Sequence, residues 1–104
     1  MISNDLGIVV IGRNEGNRLI NCLKSVKSEA DATIVYVDSG STDGSIAAAE
    51  QLGVVVVNLD MARPFTAARA RNEGFSALMG VKAGIQFVQF VDGDCTPFFL
   101  KPRL

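Results

Sequence analysis

Two rhythms of apolar and polar positions alternate along the chain. Leu6-Gly7-Ile8-Val9-Val10-Ile11 is a short apolar run rich in β-branched residues, the pattern of a strand buried on both faces. From Glu15 to Lys27 the apolar positions are Leu19, Ile20, Leu23 and Val26, with Arg18, Asn21, Lys24 and Lys27 on the other side. That spacing predicts a helix with one face in a core. Thr33 to Val37 reads as a second strand, and the polar loop Asp38-Ser39-Gly40-Ser41-Thr42-Asp43-Gly44 follows it. Ser41, Thr42 or Asp43 is placed to cap a helix over residues 44–52, and Gly53 is suited to the left-handed turn that ends it. Val54 to Val57 predicts a third strand. After Pro64, residues 65–79 carry Ala67, Ala70, Phe75 and Leu78 near helical spacing, and residues 85–91 predict a fourth strand.

The order β-α-β-α-β-α-β implies a parallel sheet with helices on its faces. Right-handed crossovers make it a doubly wound, Rossmann-like α/β fold, a three-layer α/β/α arrangement. The chain has 104 residues and shows no repeat and no linker, so a single domain over 1–104 is expected. The apolar tail segment Phe98-Phe99-Leu100 lies between Pro97 and Pro102 and is too short for a full element.

Composition narrows the chemistry. The formal net charge is −1, without the basic excess of a nucleic-acid binder. With no histidine, a Ser-His-Asp triad, a Cys-His pair and an imidazole zinc site are excluded. Cys22 and Cys95 form no C-x-x-C pair, so neither a disulfide framework nor a zinc knuckle is expected. No apolar run approaches the ~20 residues of a membrane span, and the first residues do not read as a signal peptide. A cytoplasmic setting is the expectation.

In an open α/β sheet the ligand crevice lies beyond the carboxyl ends of the strands. Three loops with unusual residues would open there: Gly12-Arg13-Asn14-Glu15-Gly16, the Asp38–Gly44 loop, and Asp92-Gly93-Asp94. Acidic residues gathered at one edge repel one another unless a cation arrives. Asp92 and Asp94, two apart, would stand about 7 Å apart on one face of an extended chain. Such a pair, together with phosphate oxygens, suits Mg²⁺ or Mn²⁺; a tight Asp-Gly turn is the plainer alternative. Asp38 is placed to accept hydrogen bonds from a base or ribose, or to organise its own loop as an Asx-turn. No P-loop, G-x-G-x-x-G motif or EF-hand loop is present. Arg63, Arg69 and Arg71 cluster around the third helix. Arg69 and Arg71 point to different faces, so one could reach an anionic ligand while the other is solvated.

Taken together, these loops resemble family 2 glycosyltransferases of the GT-A fold, over Ile8 to about Cys95. Arg13-Asn14-Glu15 after strand one is similar to that family's Asn-Glu opening. Asp38-Ser39-Gly40-Ser41-Thr42-Asp43-Gly44 resembles its second signature loop, Ala70-Arg71-Asn72-Glu73-Gly74 its Ala-Arg-Asn-x-Gly stretch, and Asp92-Gly93-Asp94 its D-x-D motif. The resemblance implies a sheet order of 3-2-1-4. It also implies a nucleotide-diphosphate-sugar site drawn from Glu15, Asp38, Ser39, Arg71 and Asp92. Asp38 would read the nucleobase, Arg71 would lie near the base or diphosphate, and Asp94 with Asp92 would ligate Mg²⁺ or Mn²⁺. The reaction implied is inverting sugar transfer to a hydroxyl acceptor, as in polysaccharide biosynthesis. Family members continue well beyond the D-x-D motif, and the later half supplies the acceptor site and the catalytic carboxylate. The expectation is therefore a donor-binding half: a truncated fragment with no catalytic base that does not transfer sugar alone. Its uncovered fourth strand and its tail would drive self-association.

Two other classes fit parts of the sequence. Phe90-Val91-Asp92-Gly93-Asp94-Cys95-Thr96 also matches the D-x-D-x-T motif of haloacid-dehalogenase-type phosphatases, with Asp92 as nucleophile and Asp94 as general acid. A non-catalytic α/β interaction module would use Asp38, Asp92 and Asp94 only as turn residues.

Overall fold

The computed structural model describes residues 6–29 and 32–92, with the backbone alone at Glu29 and Asp92. Seven elements alternate: β1 (Leu6–Gly12), α1 (Asn17–Glu29), β2 (Thr33–Asp38), α2 (Ser45–Gln51), β3 (Val55–Asn58), α3 (Ala67–Val81) and β4 (Phe87–Asp92). Each expected element is present, displaced by no more than two residues at its ends. The four strands are parallel in the order β3-β2-β1-β4, which is the doubly wound arrangement the alternation implied.

β1 sits between β2 and β4, and its side chains feed two cores. On one side Ile8 and Val10 join Ile34 and Tyr36 of β2, Val91 of β4, and Leu19, Cys22, Leu23 and Val26 of α1. On the other side Val9 joins Val35 and Val37 of β2 with Ala70 and Leu78 of α3. Burying each large aliphatic side chain contributes roughly 1.5–3 kcal/mol, so α1 is held chiefly by Leu19, Leu23 and Val26, all fully buried. Arg18, Asn21, Lys24 and Lys27 are exposed, as the helical spacing requires.

The third helix departs from expectation on its packing face. Phe75 is 45% exposed. The buried positions are Ala70, Gly74 and Leu78, four apart. Gly74 holds the central one because α3 lies almost on the sheet: a β-carbon there would sit 2.8 Å from Val37 Cγ2 and still closer to Val9 Cγ1. Only a residue without a side chain allows that approach. The helix begins after Thr66, whose hydroxyl accepts from the Arg69 amide at 3.0 Å, a side-chain cap that satisfies a free N–H of the first turn.

α2 is capped differently from expectation. Gly44 stands at its N-cap in the left-handed region (φ 89°) with no side-chain cap. Asp43 contributes instead by accepting from the Ser45 amide and hydroxyl, at 3.0 and 2.5 Å. Gly53, at φ 81°, follows the end of α2 as expected. Cys22, on α1, is buried in the core. Cys95 lies outside the described residues. No described helix is long and apolar enough to cross a membrane.

Candidate functional site at the carboxyl edge of the sheet

The register brings the ends of the strands level. Gly12 pairs with Asp38, Ile11 with Asp92, and Asp38 with Asn58. Two bonds extend the ladder past the strands, from Ser39 N to Gly12 O and from Leu59 N to Asp38 O, both 3.0 Å. The loops after β1, β2 and β3 therefore open together on one edge, and the backbone of Asp92 reaches the same edge. Asp94 lies outside the described residues, as do Gly93 and the tail.

Asp38 is the most constrained polar residue of this edge. It is 1% exposed. Its Oδ1 accepts from the Tyr36 hydroxyl at 2.6 Å, and its Oδ2 accepts from the amides of Gly40 and Ser41 at 3.1 and 2.7 Å. Tyr36 is fully buried on the same face of β2, two residues earlier. Burial, followed by the hydrogen bond and charge of Asp38, pushes its phenol well above the usual value. Of the two roles open to Asp38, the structure displays the loop-organising one: Oδ2 takes two amides of the loop, while Oδ1 is held by the Tyr36 phenol of β2.

The first two loops clasp each other. The Asn14 amide donates to Ser41 Oγ at 2.8 Å, and Asn14 Oδ1 accepts from the Thr42 amide at 2.7 Å. The turn that allows this puts Asn14 at φ 51°, a conformation asparagine tolerates better than most residues. Glu15 is half-buried beside the helix start. Its Oε1 lies 3.0 Å from Arg18 Nε, a contact of charges and not an aligned hydrogen bond, since that oxygen has no hydrogen-bond partner. The Ser45 hydroxyl is the main cause that holds the Asp43 carboxyl below its usual range.

A cavity of about 230 Å³ opens among these loops, lined by Ile11, Gly12, Arg13, Ser39, Met61 and Phe65. Ser39 is 5% exposed, and its Oγ is buried without a hydrogen-bond partner. A buried hydroxyl without a partner carries a desolvation penalty of about 1–3 kcal/mol, which a polar ligand group in the cavity would relieve. Of the residues expected at a nucleotide site, Ser39 lines the cavity. Asp38, at the end of β2 directly before Ser39, does not line it. Glu15 stands at the start of α1 and does not line it, and Arg71 is exposed on α3. Asp92 is placed by its backbone only. Met61 and Phe65, from the loop after β3, escaped the sequence reading because isolated apolar residues in a loop carry no periodic signal. Tyr36 was legible in principle, standing two residues before Asp38 on one face of a strand. Among the described residues no cluster of three or more acidic, cysteine or histidine side chains could hold a metal. The side chain of Asp92 and the whole of Asp94, the expected ligands, lie outside the described residues.

Fold and site together define a class, an α/β domain with a ligand crevice at the carboxyl ends of a 3-2-1-4 parallel sheet. The model of the family "Glycosyl transferase family 2" matches residues 7–99, and the chain belongs to that family. It is similar to a TPR repeat-containing protein of Synechococcus elongatus, 37% identical over 75 residues, covering 72% of this chain and 18% of the relative. It is also similar to an uncharacterized glycosyltransferase of Rickettsia conorii, 41% identical over 56 residues, covering 54% of this chain and 20% of the relative. Among solved structures it resembles glucosyl-3-phosphoglycerate synthase from Mycobacterium tuberculosis in complex with Mn²⁺, UDP and glucosyl-3-phosphoglycerate. The TM-score there is 0.67 at 22% identity, over 94% of this chain and 37% of that one. The chain thus spans about a fifth of these curated relatives and under two fifths of the solved protein. At that identity the structural likeness speaks for the fold alone. The family match leaves the phosphatase alternative without support.

Proposed function

We propose that residues 1–104 form the donor-binding part of a glycosyltransferase, taking a nucleotide-diphosphate sugar at the carboxyl edge of the sheet. The observation that carries this reading is the cavity between the clasped loops, with an unpartnered buried hydroxyl at Ser39 and apolar walls from Met61 and Phe65. An apolar slot with a few polar groups suits the flat heterocycle of a nucleotide. Asp38 would act at one remove, shaping the loop that presents Ser39. Arg13 lines the cavity and Arg71 is exposed on α3; their positive charge would favour a diphosphate.

Asp92 and Asp94 would hold a divalent ion, Mg²⁺ or Mn²⁺. Two carboxylates with few other ligands match the donor set such ions take alongside phosphate oxygens. When bound, the ion offsets the charge of the departing nucleoside diphosphate. In the transfer itself an acceptor hydroxyl oxygen would bond to the anomeric carbon as the bond to the diphosphate oxygen breaks, inverting that carbon. The acceptor site and the base that takes the hydroxyl proton are assigned to parts of the protein beyond these residues. The exposed Phe87 and Phe90 of edge strand β4 would be covered by self-association.

The test is thermal unfolding of the chain with UDP, GDP, CDP, ADP and dTDP, each with and without Mn²⁺. A nucleotide at 100 times its Kd adds about 2.7 kcal/mol, a rise in midpoint on the order of 10 °C for a domain of this size. The expected result is a shift for one base, dependent on metal and lost in Asp94→Asn. No shift with any nucleotide would refute the reading.

A further inference from the structure

Arg69 and Arg71 lie on the same helix and only two residues apart, yet they do different things. Arg71 is exposed to solvent, whereas Arg69 is half-buried and turned back over the loop between β3 and α3. Its Nη2 donates to the carbonyl of Asp60 at 2.7 Å, and its Nη1 makes longer contacts with the carbonyls of Arg63 and Pro64, at 3.4 and 3.5 Å. Its Nε is buried without a partner. Three backbone carbonyls of one loop thus converge on one guanidinium. Both of its terminal nitrogens donate to protein backbone, and Arg69 does not line the cavity.

The loop needs such a hold. Every residue from Asp60 to Phe65 is exposed, so no buried side chain within it fixes its shape. Two bonds lie within it, from the Ala62 amide to the Asp60 side-chain Oδ1 at 3.0 Å and from the Arg63 amide to the Asp60 carbonyl at 3.3 Å. The same loop carries Met61 and Phe65, the apolar wall of the cavity. Met61 is seated closely on the loop after β2: its Cγ lies 3.1 Å from where a β-carbon on Gly40 would stand. A loop that opened would withdraw that wall from Ser39.

We propose that Arg69 is a positioning residue for the donor site: its guanidinium holds the Asp60–Pro64 backbone so that Met61 and Phe65 stand as the cavity wall. This rests on the nucleotide reading above and adds a residue to it. A planar fork of donors is suited to several carbonyls at once, and the point charge of lysine is not. Arg69→Lys should therefore recover only part of what Arg69→Ala loses.

The experiment reads two quantities on the whole chain. The first is amide hydrogen exchange at Ala62 and Arg63 without ligand. The second is the Kd for UDP with Mn²⁺, measured by titration calorimetry. Arg69→Ala is expected to speed exchange at both amides by about tenfold and to raise the Kd by about tenfold, the loss of one charge-assisted bond. Arg69→Lys should fall between Arg69→Ala and the native chain on both. Arg71→Ala should raise the Kd and leave the exchange unchanged, which separates contact with the ligand from control of the loop. Arg69→Gln replaces the alanine variant if that does not fold. Unaltered exchange in Arg69→Ala would overturn the proposal, as would faster exchange with a native Kd. If the native chain binds no nucleotide, the donor-site reading and the Kd arm fall together; exchange still decides whether Arg69 holds the loop.

Discussion

Replacing Tyr36 by phenylalanine removes one oxygen atom from a fully buried position. That oxygen donates to Asp38 Oδ1 at 2.6 Å, while the amides of Gly40 and Ser41 serve the other carboxylate oxygen. The variant leaves a carboxylate that is 1% exposed with one oxygen deprived of its donor. A hydrogen bond to a charged group contributes about 1.5–3 kcal/mol, and the phenyl ring keeps the packing, so a loss of about 2 kcal/mol is expected. For a domain near 100 residues this lowers the midpoint by about 8–16 °C. Thermal unfolding at pH 7 by circular dichroism measures it. The effect should vanish when Tyr36→Phe is made in an Asp38→Ala background, because the partner is gone. The alkaline limb supplies a second reading. The native phenol titrates well above its ordinary value near 10, so the native state binds this proton more tightly than the unfolded chain. Its stabilisation is fully present below about pH 10 and is lost as pH rises beyond that. Tyr36→Phe should lose this alkaline component. A fall in midpoint under about 2 °C in the single variant would refute the argument that Tyr36 sustains Asp38.

Gly74→Ala should destabilise by about 1–2 kcal/mol: overlap with Val9 and Val37 costs about 1–3 kcal/mol and outweighs the gain of at most about 1 kcal/mol in helix propensity; a raised denaturation midpoint in urea would contradict this. Asn14→Ala loses the bond to the Thr42 amide and leaves alanine at a positive φ, and a loss of about 1–2 kcal/mol in urea unfolding is expected. The Ser45 hydroxyl holds the Asp43 carboxyl below its usual range, so its contribution is present above the ordinary carboxylate pKa and lost as pH falls from there through the depressed native value; Asp43→Asn should flatten that acid limb of a stability–pH profile. Light scattering should find the native chain associated and Phe87→Ser/Phe90→Ser smaller, whereas a monomeric native chain would remove the self-association proposal.

The elements were legible because each is driven by its own pattern. β1 alternates its side chains between two cores, and α1 keeps a clean apolar stripe. The tightness of α3 on the sheet was not legible, because Gly74 reads as a weak helix residue until Val9 and Val37 are placed beneath it. At the site, the motif loops pointed to the carboxyl edge of the sheet, where the cavity lies. What the spacing could not tell was how Asp38 spends its oxygens. The choice between a ligand group and a loop organiser depends on Tyr36 and on two backbone amides, which only the folded turn brings together. Arg69 and Arg71 were separable by helix face, but which of them turned inward depended on the path of the loop after β3.

The placement of β1 between β2 and β4 also bears on how the chain reaches its native state. β2 and β3 pair after closing a loop of about 20 residues, whereas Leu6 waits for Phe87 across roughly eighty. Each doubling of loop length adds about 0.6 kcal/mol of closure entropy, so pairing β1 with β4 in an otherwise unfolded chain costs about 1.2 kcal/mol more than pairing β2 with β3, which favours forming the first crossovers before β4 docks. During synthesis β4 also emerges after the other three strands. The three-stranded core β3-β2-β1 can therefore form with the loops after β1, β2 and β3 already in place, while Asp92 arrives with β4. A chain arrested before that step would hold the cavity but lack β4 at the edge of the sheet.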